Sequence, residues 1–190
     1  TQFRVAATNA REAGFDGIEL HGANGYLLDQ FLRSGSNQRT DQWGGSVANR
    51  ARLLLDVIEA TVAVWGPGRV GVRLSPFNPY NAMHDDAPFT TFPDVAALLD
   101  TQALAYLHIN YGGGSPEDRA RMQHLLRAAF HGAIVANAGL NAESGEEVLA
   151  EHLAEAIAFG VPFLANPDLP LRLASGADLN LPDVPTFYQG

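Results

Sequence analysis

The chain is expected to fold as an α/β protein, either a doubly wound parallel sheet or a partial (β/α)8 TIM barrel of about five β/α units. Three observations carry that expectation. Short apolar strands alternate with helix signals along the whole sequence. The strands read as apolar on both faces, the pattern of a parallel sheet covered by helices. Repeated β–α units leave a doubly wound sheet or a barrel, and 190 residues suffice for one domain but not for the eight strands and ~250 residues of a closed barrel.

The elements follow in order. Phe3 to Ala13 reads as a helix, with Val5, Ala6, Ala10 and Ala13 at helical spacing and Gly14 as its stop. Gly17 to Leu20 is a short buried strand. Ser46 caps a long helix whose apolar face is Leu54, Ile58, Thr61, Val62 and Trp65, ended by Gly66-Pro67-Gly68. Val70 to Leu74 is the second strand. Phe92 to Leu104 reads as a helix with Pro93 in its first turn, and Tyr106 to Asn110 is the third strand. Ser115-Pro116-Glu117-Asp118 opens a helix that runs to Phe130. Ala133 to Ala136 is the fourth strand. Ser144-Gly145-Glu146-Glu147 reads as a capping box that opens the next helix. Ala156 to Phe159 is the fifth strand, and Asn166-Pro167-Asp168 starts a closing helix. Beyond Leu173 the sequence turns loop-like.

Composition excludes several functions. The apolar fraction of 46% and charged fraction of 17% are ordinary for a globular protein. A net charge of −9 with no basic cluster argues against a nucleic-acid partner. No apolar run reaches membrane-span length, so no membrane partner is expected. The absence of cysteine removes disulfides and thiolate chemistry and suits a cytoplasmic location. All twelve basic residues are arginine, so a Schiff-base mechanism is excluded and an aldolase-type lyase lacks support. The chain opens at Thr1-Gln2-Phe3, inside a helix pattern, so a fragment of a longer product is expected.

The densest chemistry lies at His21-Gly22-Ala23-Asn24-Gly25-Tyr26. Alternation puts Glu19 and His21 on one face of their strand, so His21 ends the strand at the C-terminal rim where barrel enzymes keep their sites. Two side-chain donors and a phenol then share one short loop, able to hold an oxygen-bearing substrate and deliver a proton. Taken singly, each has a plain structural reading: a loop histidine, an Asn-Gly turn and a packed tyrosine. Arg73 interrupts an apolar strand. A guanidinium there requires a partner, either an acid such as Glu19 or an anionic ligand. Asn137-Ala138-Gly139-Leu140 and Phe159-Gly160-Val161-Pro162-Phe163 follow the last two strands, where Gly-rich loops of barrels often meet a phosphate. His84, Asp85 and Asp86 lack ligand spacing and read as a solvated loop, so no metal is expected. His108 is either core or site lining.

The stretch from Gly14 to Arg52, the motif Val70-Gly71-Val72-Arg73-Leu74-Ser75-Pro76 and the segment from Ala158 to Pro170 together resemble the old yellow enzyme family of flavin-dependent ene-reductases. The resemblance runs from about Phe3 to Tyr188 and is weaker between Asn78 and Arg127. It implies that residues 1–190 form the C-terminal part of a single FMN-binding barrel domain, equivalent to family strands 4 to 8, with the first three strands absent. It implies FMN as cofactor, NAD(P)H as reductant and an activated alkene, an enone or nitroalkene, as substrate. His21 and Asn24 would hold the carbonyl or nitro oxygen, and Tyr26 would protonate the α-carbon. Arg73 would face the pyrimidine edge of the flavin, and Gly139, Leu140, Gly160 and Val161 would hold its phosphate. Val161 stands where the family has an arginine. The lost charged hydrogen bond, roughly 1.5–3 kcal/mol, would lower FMN affinity by about one to two decades. The missing strands leave the partner open, either an N-terminal half or a second copy. A non-catalytic half-barrel that binds phosphate compounds or self-associates is the alternative reading.

Overall fold

The computed structural model describes residues 2–187; Tyr188, where the resemblance ends, lies outside them. Helix α1 (Gln2–Glu12) precedes β1 (Ile18–His21), followed by α2 (Leu27–Leu32), α3 (Val47–Trp65) and β2 (Val70–Leu74). Next come α4 (Pro88–Leu99), β3 (Tyr106–Asn110), α5 (Pro116–Ala129), β4 (Ile134–Asn137), α6 (Ala142–Ala150), β5 (Ala156–Ala158), α7 (Val161–Ala165) and α8 (Leu169–Ser175).

All five strands are parallel and pair in chain order, β1-β2-β3-β4-β5. Parallel neighbours require crossovers, and right-handed β–α–β units laid down in sequence curve a sheet toward a barrel. Leu20, Val72, Leu74, Leu107, Ile109, Ile134 and Ala136 point to the helices and form the core with Leu54, Ile58, Phe92, Leu99, Met122 and Leu126. The opposite face is polar, contrary to the reading of strands apolar on both sides. Pairing aligns His21, Arg73, His108 and Val135 in one row and Asn110 with Asn137 in the next. One face thus builds stability while the other carries charge.

The caps explain most boundaries. Ser46 and Ser115 accept from the amides of Asn49 and Asp118, as expected. Two expectations are corrected. The capping box belongs to Asn141, whose side chain accepts from Ser144 N–H while the Ser144 hydroxyl closes back on Asn141, so α6 starts earlier than Ser144. Helix α4 begins at Pro88, where a missing N–H costs nothing, and carries Pro93 inside rather than in its first turn. It stops at Leu99, and Ala103 at φ +51 turns the chain toward β3. Helices α2 and α7 are short elements that the sequence reading leaves as loop.

Candidate active site

The loop after β1 is held from several sides. Gly22 N–H donates to Arg73 O at 2.9 Å, and Asn24 N–H to Ser75 Oγ at 2.7 Å. Gly25 N–H donates to Asp29 Oδ2 at 2.8 Å, and Gln30 Nε2 to Gly25 O at 2.7 Å. Asp29 itself is paired at 2.9 Å with the fully buried Arg33, whose Nη2 donates to Ser75 O and whose guanidinium lies 5.5 Å from the Phe92 ring centre. Burial pushes the Asp29 carboxyl up despite Arg33. Asn24 sits at φ +56, a left-handed conformation that asparagine tolerates, and Gly25 follows at φ +74. A side chain at Gly25 would strike Asn81 Cβ at 2.7 Å and Met83 Cγ at 2.8 Å.

These restraints bring His21 and Tyr26 together, with ring centres 5.1 Å apart, and leave Tyr26 half exposed at the rim. Burial lowers the His21 pKa and the nearby Arg73 charge lowers it further, which disfavours the charged imidazolium. Asn24 Oδ1 accepts from Asn78 Nδ2 at 2.8 Å and from Asn110 Nδ2 at 3.1 Å.

Arg73 is the neighbour of His21 across β1 and β2. It does not bond Glu19, which is taken by His108 Nδ1 at 2.9 Å. Instead Arg73 Nη2 donates to Asn137 Oδ1 at 2.8 Å, and Asn137 Nδ2 donates to Ala158 O at 2.7 Å. The fixed backbone acceptor sets the Asn137 amide, and that amide aims the guanidinium. Arg73 Nε and His108 Nε2 are buried with no partner among the described residues. Burying the Arg73 Nε donor is costly unless something accepts from it, so it faces a position built for an acceptor. His108, with its Nδ1 on the Glu19 carboxylate, instead presents Nε2 as an acceptor in the neutral ring. Tyr106 reaches beneath β2 because Gly71 has no side chain: a Cβ there would lie 2.4 Å from the Tyr106 ring. Burial and the Glu19 charge push the Tyr106 phenol up to about 12.

The two Gly-rich loops are neighbours because β4 and β5 pair through Asn137 and Ala158. Ala138 and Gly139 take φ +66 and +72. A Cβ on Gly139 would lie 2.1 Å from Arg119 Nη1, so the Arg119 guanidinium packs on that glycine. Leu140 packs on the core, Gly160 precedes α7, and Val161 is exposed at its first position. The sequence reading singled out His21, Asn24, Tyr26, Arg73 and the loop glycines. It missed Asn78, Asn110 and Arg119 as site neighbours, and named Asn137 only as part of a Gly-rich loop, since an isolated asparagine or surface arginine carries no motif.

His84, Asp85 and Asp86 form no metal site; no group of metal-ligating side chains occurs among the described residues. Asp85 instead ties this loop to Ser34 N–H at 3.0 Å and Thr91 Oγ1 at 2.9 Å. A groove of about 560 Å3 lies between α6 and α8, over Ile157 and Phe159, on the other side of the sheet from His21.

A profile of the NADH:flavin oxidoreductase / NADH oxidase family matches residues 1–180. The chain belongs to this family. As a family member it is 44% identical over 191 residues to 12-oxophytodienoate reductase 1 of Oryza sativa subsp. japonica, covering 98% of this chain and 50% of that one. It is 40% identical over 186 residues to the "Probable flavin mononucleotide-dependent alkene reductase" of Leishmania infantum, covering 98% of this chain and 51% of the relative. Morphinone reductase superimposes with a TM-score of 0.90 at 45% identity, covering 99% of this chain and 51% of that chain. The old yellow enzyme homologue from Zymomonas mobilis superimposes with a TM-score of 0.92 at 37% identity, covering 98% and 54%. The chain thus spans about half the length of these relatives, and its five strands are part of the old yellow enzyme barrel.

Proposed function

We propose that this chain is the substrate-activating and phosphate-binding part of an FMN-dependent ene-reductase acting on enones or nitroalkenes. The observation that carries the reading is the convergence of His21, Asn24 and Tyr26 at the end of β1, beside Arg73 and its unpartnered buried Nε. Arg73 Nε suits the electron-rich edge of a flavin, and Arg73 would hold that edge. Bound FMN would supply the hydride, replenished by NAD(P)H. His21, whose pKa is lowered by burial and Arg73, and Asn24 would donate to the substrate oxygen and stabilise charge that builds there. Tyr26, at the rim, would give its proton to the α-carbon. Gly139, Leu140, Gly160 and Val161 frame the phosphate position, and Arg119 on Gly139 brings the positive charge that Val161 does not. The lack of cysteine supports a reducing, cytoplasmic setting.

The open edges of β1 and β5 favour a second strand-bearing partner, either the remaining barrel segment or another copy of this chain. The test is a parallel titration of the chain, alone and with the remaining barrel segment of a relative, with FMN and riboflavin. FMN binding that exceeds riboflavin binding, and loses that excess in Arg119→Gln, supports the reading. A folded chain with no flavin affinity in either setting overturns it and leaves the non-catalytic half-barrel.

A further inference from the structure

Asn24 would be useful to a carbonyl or nitro substrate only if its amide presents N–H rather than oxygen. Amide orientation is decided by surrounding partners, and here those partners trace back to the main chain. Gly112 N–H donates to Asn110 Oδ1 at 2.9 Å, and Tyr80 N–H donates to Asn78 Oδ1 at 2.9 Å. A backbone amide can only donate, so each of these oxygens is fixed. Each Nδ2 group is therefore turned toward Asn24, and both donate to Asn24 Oδ1 at 3.1 and 2.8 Å. With its oxygen occupied twice, Asn24 has only its Nδ2 left to offer, and nothing among the described residues accepts from it. The Asn24 main chain cannot rotate to escape, because its N–H is held by Ser75 Oγ at 2.7 Å and its carbonyl accepts from Asn81 Nδ2 at 3.3 Å.

We propose that Asn78 and Asn110 are positioning residues: they polarise and orient the Asn24 amide so that the site meets its ligand with a donor. The two come from different elements, the segment after β2 and the end of β3, and they converge on one oxygen. Both lie 54 or more residues from Asn24 in sequence, so the arrangement exists only in the folded sheet.

The inference deepens the ene-reductase reading and rests on it for the ligand, but not for the geometry. Asn110→Asp keeps the acceptor for Gly112 N–H and replaces the donor facing Asn24 with a carboxylate oxygen. A charge-assisted bond to the new carboxylate outweighs the neutral one from Asn78, so the Asn24 amide should then turn, giving its Nδ2 to the carboxylate and its oxygen to the site. In the ¹⁵N-labelled full chain without flavin, the Asn24 side-chain N–H signals should exchange rapidly in the wild type. They should become protected in Asn110→Asp. With flavin and the remaining barrel segment present, KM for 2-cyclohexen-1-one should rise by about tenfold or more. Asn110→Ala, which leaves Asn78 in place, should raise it less.

Unchanged Asn24 exchange in Asn110→Asp overturns the proposal. Should Asn110→Asp fail to fold, Asn78→Asp applies the same reversal from the other side, and unchanged exchange there overturns it equally. A wild-type chain that shows the exchange pattern but never reduces the enone refutes the functional reading and leaves the amide arrangement standing.

Discussion

At the scale of single residues, the proposed donors and the proposed acid share one short loop. Tyr26 is exposed at the rim and His21 lies against it, so removing the phenol should not disturb the loop. Tyr26→Phe is expected to lower turnover of an enone by about 10²–10⁴-fold with unchanged FMN affinity, measured by steady-state kinetics and flavin titration. His21 gives a pH signature. Its folded pKa is lowered by burial and by Arg73, so the folded state binds that proton less readily than the unfolded state. Its contribution to stability is present above the ordinary value of ~6.5 and is withdrawn as pH falls below it toward the lowered value. Urea unfolding from pH 8 to 5 should lose stability over that window, and His21→Asn should flatten the slope. Arg73 shows what a sequence leaves open. A buried guanidinium demanded a partner, but both Glu19 and a ligand fitted. The fold gives Glu19 to His108, 89 residues away in sequence, and gives Arg73 the Asn137 side chain.

At the scale of elements, local chemistry made most of the fold legible. Ser46, Ser115 and the glycines after α1 and α3 announce helix ends through side-chain and left-handed capping, which depend on neighbours in sequence. The boundaries that slipped depend on competition between plausible caps. Asn141 and Ser144 lie three apart and cap each other, so either can be read as the start of α6. Helix α2 escaped notice because its six residues are set by the Asp29–Arg33 pair and its burial, not by propensity. That pair should dominate the element's stability. Asp29→Asn would leave Arg33 buried without its counter-charge, and a loss of about 3–5 kcal/mol is expected, read from denaturant unfolding. Loss of the Gly25 contact should also weaken enone binding in the same variant.

At the scale of the whole molecule, parallel pairing in chain order was readable from the alternation of strands and helices, whereas the polar inner face was readable only in the first strand, through Glu19 and His21. Glu19, His21, Arg73, Tyr106, His108, Asn110 and Asn137 are scattered through the sequence, and only strand register gathers them. Open edges follow from the same topology. In β1, Ile18 and the following Gly22 bond toward β2, so by alternation the Glu19 and His21 amides face outward. Hydrogen exchange should find these amides fast and those of Val72, Leu107 and Ile109 among the slowest. Added strand partners should slow the edge amides selectively.

The tethered loop from Gly22 to Tyr26 also has a consequence in time. Held by Arg73, Ser75, Asp29, Asn78, Asn81 and Asn110, it has no ordering step to complete when a ligand arrives. In stopped-flow mixing, the observed association rate should therefore climb linearly with ligand concentration and show no plateau from a preceding isomerisation. Asp29→Asn, which frees one end of the loop, should introduce that plateau.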